Sequence, residues 1–351
     1  MHALWPQIET WIDNGRRFAL ATVVATEGSS PREVGSVMAI DPVGPHFIGS
    51  VSSGCLEVEV IEAANEVIEL GRVRYFHFGP ENTVLWDDGL TCGGRVKVRL
   101  EPWMGLAQRG LYEPVVNALR NWIQNDRSGV ILSSDLEHIA ITATDVVGPA
   151  GSWSNAIMED AYTLLSEAMP SREIEVDEKN VFARSILPRP RLFIVGAVEV
   201  AIKLVELAKI ARWKTLVADP REAYTQASRF EQMPDELIEG WPETVIDGLN
   251  LGPRDAAIVL THDPKIDDAA LIELLDTRVG YIGAMGSRKS HESRRDRLRD
   301  AGISDERLER IDGPCGLHLG SANAVGIATG ILAGILQWQA RDSASDAEPP
   351  L

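Results

Sequence analysis

The chain is poor in cysteine, since only three thiols occur in 351 residues, at Cys55, Cys92 and Cys315. Thiols so few and so scattered argue against a disulfide framework, and their spacing lacks the close pairs of a structural zinc site. Long apolar runs are absent too, so no segment is predicted to cross a bilayer. The N-terminus has neither the basic nor the apolar segment of a signal peptide. We therefore expect a cytoplasmic protein with reduced thiols and no membrane partner.

Positive charge is scarce as well. The sequence holds 34 lysine and arginine residues against 52 aspartate and glutamate residues, which gives a formal net charge of −18. A surface of this sign would repel a phosphate backbone, so we expect no nucleic-acid partner. In other respects the composition is that of a soluble globular protein, and the length suggests two or three domains.

One cysteine occurs where a predicted strand gives way to a predicted helix. An apolar strand ends at the turn Ser52-Ser53-Gly54, and helical spacing of apolar residues begins just after Cys55. Free N–H groups and the dipole of the helix would favour a thiolate at this place, which could bind a soft metal. The neighbouring carboxylate of Glu57 opposes a second negative charge, so the expected shift toward thiolate is modest. The alternative is a small buried residue at a tight junction.

Two further segments of the N-terminal half are rich in small residues. Ser30 and Arg32 belong to a turn that could hold an anion through backbone N–H groups and a forked guanidinium, although such residues also dominate plain connecting turns. Cys92-Gly93-Gly94 would let a ligand approach the backbone closely, and Cys92 could share a pocket with Cys55. The strand from Arg95 onward alternates basic and apolar residues, which predicts one solvated, basic face.

A stiff segment, Pro188-Arg189-Pro190-Arg191, marks a predicted domain boundary. Strands and helices are mixed before it and alternate regularly after it, and regular alternation is typical of a parallel sheet. We therefore predict an α/β protein with an N-terminal mixed α+β domain at residues 1–187. A Rossmann-like, doubly wound parallel sheet follows at residues 188–340, and residues 341–351 form a disordered tail.

A dinucleotide site is one prediction for the second domain. Gly196 and Asp219 are separated as in a Rossmann β–α–β unit, where the acidic residue accepts the adenine ribose hydroxyls. Arg221 could favour a 2′-phosphate. The fingerprint requires a glycine for contact with the pyrophosphate, but Val198 stands there with Glu199 beside it. NAD(P) is therefore kept only as an alternative cofactor.

His262 and Asp263 follow the next apolar strand of this domain. Ligand and catalytic groups in parallel sheets gather at the carboxyl ends of the strands, so both residues are candidates for the same site. The alternative is structural, because Asp263 could cap the following helix and His262 could be held by a hydrogen bond.

Several motifs, in this order, resemble the XdhC/CoxI family. Those of the first domain are Gly28-Ser-Ser-Pro-Arg32, Ser50-Val-Ser-Ser-Gly-Cys-Leu-Glu57 and Cys92-Gly-Gly94. Those of the second are Asp219-Pro-Arg221, Leu260-Thr-His-Asp263, Tyr281-Ile-Gly-Ala-Met-Gly-Ser-Arg288 and Pro314-Cys-Gly-Leu317.

This resemblance implies a maturation factor for molybdenum hydroxylases such as xanthine dehydrogenase or carbon monoxide dehydrogenase. Such proteins bind molybdenum cofactor transiently, protect it while a cysteine desulfurase helps to add the terminal sulfur, and hand it to the apoenzyme. Cys55 matches the family cysteine implicated in cofactor binding, and a thiolate is a soft ligand for molybdenum. Arg32 would serve the phosphate of the cofactor. The candidate residues in this domain are Ser30, Arg32, Ser53, Gly54, Cys55, Glu57, Cys92, Gly93 and Gly94.

Three hypotheses follow for the function. The first is a molybdenum-cofactor chaperone, an accessory factor more than a catalyst, which is expected to form a homodimer. The apolar helix predicted at 322–339 suits either close packing within the chain or a dimer contact. The second is an NAD(P)-dependent oxidoreductase that uses Gly196, Asp219 and His262. The third is an assembly scaffold that docks through its acidic surface and the arginine-rich helix predicted at 289–301, whose mixed charges could instead pair with one another.

Overall fold

The computed structural model describes residues 1–28, 30, 32–41, 46–52, 54, 56–79, 94–103, 113–135, 137–148, 153–176 and 179–345. The chain divides into two compact units, Met1–Pro188 and Arg189–Leu351. Each unit has its own sheets and its own hydrophobic cores.

The described part of the first unit contains two antiparallel sheets of five strands. The first sheet consists of β1 (Phe18–Glu27), β2 (Val37–Asp41), β3 (His46–Gly49), β4 (Arg74–Phe78) and β5 (Arg95–Trp103), in the order β3-β2-β1-β5-β4. The second sheet consists of β6 (Gly129–Ser134), β7 (Glu137–Ile141), β8 (Val146–Val147), β9 (Arg172–Val176) and β10 (Lys179–Ile186), in the order β8-β7-β6-β10-β9.

Four helices accompany these sheets within the described residues: α1 (Trp5–Asp13), α2 (Glu57–Leu70), α3 (Glu113–Gln124) and α4 (Asn155–Ser166). The buried residues of α2 recur at helical spacing, from Val60 through Ala64 to Val67, and they pack on one face of the first sheet. The helix ends where Gly71 adopts a left-handed conformation with φ of 61°, which a glycine accepts without strain. α4 packs in the same way on one face of the second sheet.

The remaining faces of the two sheets share one hydrophobic cluster. Leu20 of β1 and Ile131 of β6 belong to it, together with residues of α1 and α3. The first unit is therefore layered, with a helix on each outer side and two sheets between them. The face of β5 that was predicted to be solvated is exposed at Arg95, which is 57% exposed, but the second sheet covers it at Arg99, which is only 1% exposed.

A group of charged side chains, the inter-sheet cluster, lies within this unit. It comprises Arg99 and Glu101 on β5, His138 on β7 and Arg184 on β10, each at most 5% exposed. The Glu101 carboxylate lies 2.8 Å from Arg99 Nη1 and 3.3 Å from His138 Nε2. Arg184 Nη2 donates to Thr22 Oγ1 at 2.7 Å. Burial alone would raise the pKa of Glu101, but Arg99 and Arg184 help to lower it, so the carboxylate stays ionised and offsets part of their positive charge.

His138 makes the first unit sensitive to acid. Burial lowers its pKa from 6.5 to about 4, although Glu101 opposes the shift. Between these two values the unfolded chain takes up a proton that the folded state does not bind. The contribution of His138 to stability is therefore complete above pH 6.5 and is lost as the pH falls toward 4. The shift corresponds to roughly 3 kcal/mol.

We expect acid to destabilise the wild type more than His138→Gln, because the glutamine does not titrate. The free energy of unfolding in urea, measured at about pH 7 and about pH 4.5, should fall by roughly 2 to 3 kcal/mol more in the wild type. An equal fall in both proteins would remove His138 from the acid response.

The described part of the second unit is built on one parallel sheet. Its strands are β11 (Arg191–Val195), β12 (Lys214–Asp219), β13 (Glu236–Glu239), β14 (Ala256–Val259), β15 (Tyr281–Ala284) and β16 (Ile311–Asp312), in the order β13-β12-β11-β14-β15-β16. Its helices are α5 (Glu199–Ile210), α6 (Pro242–Leu249), α7 (Pro264–Asp276), α8 (Arg288–Asp300), α9 (Asp305–Leu308) and α10 (Ala324–Ser345).

Helices cover both faces of this third sheet. Residues of α6, α7 and α8 pack on the face that carries Val195, whereas residues of α5 and α10 pack on the face that carries Ile194. This arrangement confirms the predicted α/β class and the Rossmann-like sheet. The predicted disordered tail is wrong for residues 341–345, because α10 continues to Ser345. A helix that has already formed extends at little cost, since each added residue gains a hydrogen bond. Residues 346–351 lie outside the described part.

Candidate functional site

The segments that carry the predicted site of the first unit all leave the first sheet at the same end of its strands. This end of the sheet is called here the site edge. β1 ends at this edge, where Glu27 pairs with Arg95 at the beginning of β5. β3 and β4 also end there, and β2 begins there. The connections after residues 27, 49 and 78, which contain Arg32, Cys55 and Cys92, therefore start from the same side of the sheet.

Four predicted site residues lie outside the described part of the chain. They are Ser53, Cys55, Cys92 and Gly93. Their described neighbours are Gly54, Leu56, Glu57 and Gly94. Gly54 is exposed with φ of 120°, and the space that a Cβ would fill is open. Gly94 is buried immediately before β5.

Glu57 makes several hydrogen bonds at the site edge. It is the first residue of α2 and only 6% exposed. Its carboxylate accepts hydrogen bonds from both sides of the turn that precedes the helix. The donors are Ser50 Oγ (2.6 Å), Val51 N (3.2 Å), Ser52 N (2.9 Å), Ser52 Oγ, Gly54 N (2.9 Å) and Leu56 N (3.2 Å).

These bonds keep Glu57 ionised. Burial would raise its pKa, but the hydrogen bonds from Ser50 and Ser52 outweigh burial and lower the pKa to about 2. They also correct one expectation, that the N–H groups of this turn are free to face the thiol. The N–H groups of Gly54 and Leu56 are bound to the Glu57 carboxylate, which is a stronger acceptor. Glu57 therefore holds the described residues on both sides of Cys55, and this contact network was not predicted from the sequence.

The turn after β1 is fixed by its own serine. Ser30 Oγ donates to Arg32 O at 2.7 Å and accepts from Arg32 N at 3.4 Å. The Arg32 side chain is exposed, and within the described residues it has no ion-pair partner. The guanidinium is thus available to an anion at the site edge.

A cavity of about 390 Å³ opens at the same edge, between the ends of β1 and β4 and the beginning of β5. Its volume is that of a small-molecule site. The lining residues are Ala25, Thr26, Glu27, His77, Phe78, Gly79, Arg95, Val96 and Lys97. Arg95 lies 3.3 Å from Glu27, but both side chains are more than half exposed, so this ion pair is weak and can yield to a ligand.

The predicted dinucleotide residues of the second unit have partners of their own. A Cβ on Gly196 would lie 2.5 Å from Cγ2 of Thr261, which follows the neighbouring strand β14, so only glycine fits at this position. Asp219 is fully buried and accepts from Ala197 N at 2.9 Å and from Arg221 Nε and Nη2 at 2.8 and 2.7 Å. Burial would raise the pKa of Asp219, but Arg221 lowers it. An adenine ribose would have to displace these donors, which weighs against the nicotinamide hypothesis.

His262 and Asp263 lie in the turn before α7. His262 has φ of 63° and donates its N–H to Asp267 Oδ2 at 3.1 Å. Asp263 caps α7 by accepting from Lys265 N at 3.0 Å, which is the structural alternative considered for it. Asp267 is 2% exposed and also accepts from Thr261, so it holds this turn together. This role of Asp267 was not predicted from the sequence.

Two further features are absent from the described residues. No cluster of three or more histidine, cysteine or carboxylate side chains could hold a metal ion there. None of the described helices combines the length and the apolar character required to span a membrane.

Two sequence models of known families match the chain. One is described as the XdhC Rossmann domain and matches residues 192–335, and the other is described as the XdhC and CoxI family and matches residues 11–79. The order of the two matches is that of the two units.

Full-length relatives support the same assignment. A Bacillus subtilis protein, named as a probable subunit of xanthine dehydrogenase, is 28% identical over 95% of this chain and 97% of its own length. The Escherichia coli molybdenum cofactor insertion chaperone PaoD is 22% identical over 96% of this chain and 88% of its own length. The fold is that of a Bacillus halodurans crystal structure described as a xanthine dehydrogenase, with a TM-score of 0.74, 23% identity and 97% of both chains covered. The chain therefore belongs to the XdhC/CoxI family.

Proposed function

We propose that this protein binds molybdenum cofactor at the site edge, protects it during maturation and delivers it to a xanthine dehydrogenase-type or carbon monoxide dehydrogenase-type apoenzyme. Similarity to a molybdenum cofactor insertion chaperone supports a role in maturation. The observation that carries the proposal is that three family segments start from one edge of the first sheet, beside a cavity of about 390 Å³.

The residues of this edge suit the chemistry of the cofactor. A Cys55 thiolate would be a soft ligand for molybdenum. Arg32 and Arg95, both exposed, would meet the negative charge of the phosphate. The exposed Gly54 would let the pterin approach the backbone, because it has no side chain and the space beside it is open.

The remaining partners belong to the same proposal. A cysteine desulfurase would help to add the terminal sulfur while the cofactor is held, and the molybdenum hydroxylase apoenzyme would then receive it. The protein would act in the cytoplasm as a homodimer and as an accessory factor, with no reaction catalysed by its own residues.

Replacement of Cys55 tests the site directly. We expect Cys55→Ala to retain at least about tenfold less molybdenum than the wild type after incubation with the cofactor and desalting, because the metal loses its thiolate ligand. Retention would be measured as molybdenum and pterin per chain. Equal retention by the two proteins would contradict the role of Cys55.

Cys315→Ala is the matched control. Burial raises the pKa of the Cys315 thiol to about 12, so this sulfur is not a thiolate at neutral pH. The control should therefore retain as much cofactor as the wild type. Loss of cofactor by both variants would mean that retention depends on general stability and would leave Cys55 without a specific role.

A further inference from the structure

The N-terminus of α8 carries positive charge where a helix normally favours negative charge. Arg288 and Lys289 are its first two residues, both are exposed, and the first turn contains no acidic residue. The helix dipole places its positive end here, and the first N–H groups have no acceptor within the helix. Cations at this end of a helix are unfavourable unless an anion lies among them.

The other arginines of α8 have acidic partners. Arg297 binds Asp268 at 2.5 Å, and Arg299 binds Asp305 at 2.8 Å. The predicted pairing of charges on this helix therefore holds beyond its first turn. Across the described part of the chain, Arg288 and Lys289 have no such partner, in a sequence with a net charge of −18.

Arg294 adds a buried cation one turn further along the helix. Its side chain is 4% exposed. Nη2 donates to Met285 O at 3.0 Å and lies 3.5 Å from Asp267 Oδ2. Nε and Nη1 are buried and have no hydrogen-bond partner among the described residues. Buried donors are nearly always satisfied, so these two nitrogens need a partner that the described residues do not supply, which is a ligand, an ion or a water molecule.

A glycine turn connects this guanidinium to the helix N-terminus. Gly286 has φ of 150°, which side chains rarely adopt, and a Cβ there would lie 4.0 Å from Arg294 Nη1 and 3.4 Å from Ser290 Cβ. The next residue, Ser287, caps α8, and its Oγ lies 2.8 Å from Ser290 Oγ. The missing side chain at position 286 therefore leaves space beside both Ser290 and the Arg294 guanidinium.

We propose that the Gly286 turn binds a phosphoryl group. Arg288, Lys289 and the first N–H groups of α8 would contact its oxygens, and the serine hydroxyls would donate to them. The turn follows β15, so the site lies at the carboxyl edge of the parallel sheet, where such folds bind ligands. Asp267 offsets part of the Arg294 charge, but its oxygens are held by Thr261 and His262. The ligand is free phosphate or the terminal phosphate of an organic molecule.

Calorimetric titration of the full chain at constant ionic strength tests this site, with inorganic phosphate and AMP as the two probes. We expect at least one of them to bind with a dissociation constant below about 1 mM. The exposed double variant Arg288→Gln/Lys289→Gln should bind it at least about tenfold more weakly, because it loses two direct contacts. The matched control is Arg295→Gln/Arg299→Gln, which removes the same charge further along the helix and should bind as the wild type does.

Each outcome decides the proposal or the source of the phosphate. Tighter binding of AMP than of phosphate would identify an organic phosphate as the ligand, and equal binding would identify the free ion. Absence of binding by both probes up to about 10 mM would overturn the proposal. Equal weakening in the control would overturn it too, because the effect would then reflect net charge. Neither result depends on the cofactor site of the first unit.

Discussion

Glu101→Ala is expected to lower the free energy of unfolding by about 3 to 5 kcal/mol, which is a large part of the stability of an ordinary domain. The mutation removes the carboxylate that faces Arg99 and leaves two buried guanidinium groups without their counter-charge. Neither arginine can reach water, and neither loses its proton at neutral pH. Urea unfolding followed by tryptophan fluorescence would measure the loss.

Glu137→Ala is the control for this experiment, because Glu137 is exposed on β7 beside His138. It should change the free energy of unfolding by no more than about 0.5 kcal/mol. A second comparison separates charge from volume. Joint replacement of Arg99, Glu101 and Arg184 by methionine and leucine should cost less than Glu101→Ala, because no buried charge is then left unpaired. If Glu101→Ala proves as stable as the control, the inter-sheet cluster does not support the fold.

Glu57→Ala is expected to reduce cofactor retention nearly as far as Cys55→Ala, although Glu57 would not touch the cofactor. Its carboxylate binds donors on both sides of Cys55, from Ser50 to Leu56, and without it these groups lose their shared acceptor. The free energy of unfolding should also fall, by about 2 to 3 kcal/mol. Molybdenum retention and urea unfolding, measured on the same preparations, give both results.

The exposed Glu59 offers a matched control on the same helix. Glu59→Ala removes one negative charge near the site and should leave retention and stability unchanged. Glu57→Gln should give an intermediate result, because one of its two amide atoms donates where the carboxylate accepts. Normal retention by Glu57→Ala would show that the turn holds its conformation without the carboxylate, and the positioning role would then be rejected.

The sequence predicted the fold where its apolar residues follow a strong periodic pattern. Regular alternation of strands and helices after residue 188 predicted the parallel sheet, and the spacing from Leu56 predicted α2. The pattern around Arg99 led to a wrong prediction of a solvated side chain. Alternating basic and apolar residues predict one face in water, but here a second sheet covers Arg99. That covering depends on contacts with residues from 129 to 186, and such distant contacts leave no mark in a local pattern.

The sequence predicted which segments form the candidate site, but it did not predict the contacts between their residues. The segments of Arg32, Cys55 and Cys92 were identified, yet only strand pairing shows that they start from one edge. Glu57 was interpreted as a charge that opposes the thiolate, whereas its carboxylate is bound by the backbone of the turn. Asp219 had the right spacing for a ribose contact, but the sequence did not reveal that Arg221, two residues later, binds it.

The site edge has a consequence for how such proteins diverge. Its connections lie at one end of the strands, whereas Phe18 and Trp103 pair at the other end and pack with Trp11. Insertions or replacements in the connections leave these aromatic contacts intact. If the proposed function holds, a change of cargo or client requires only new loops on an unchanged framework, and chimaeras that swap only these loops should be a practical route to new specificities.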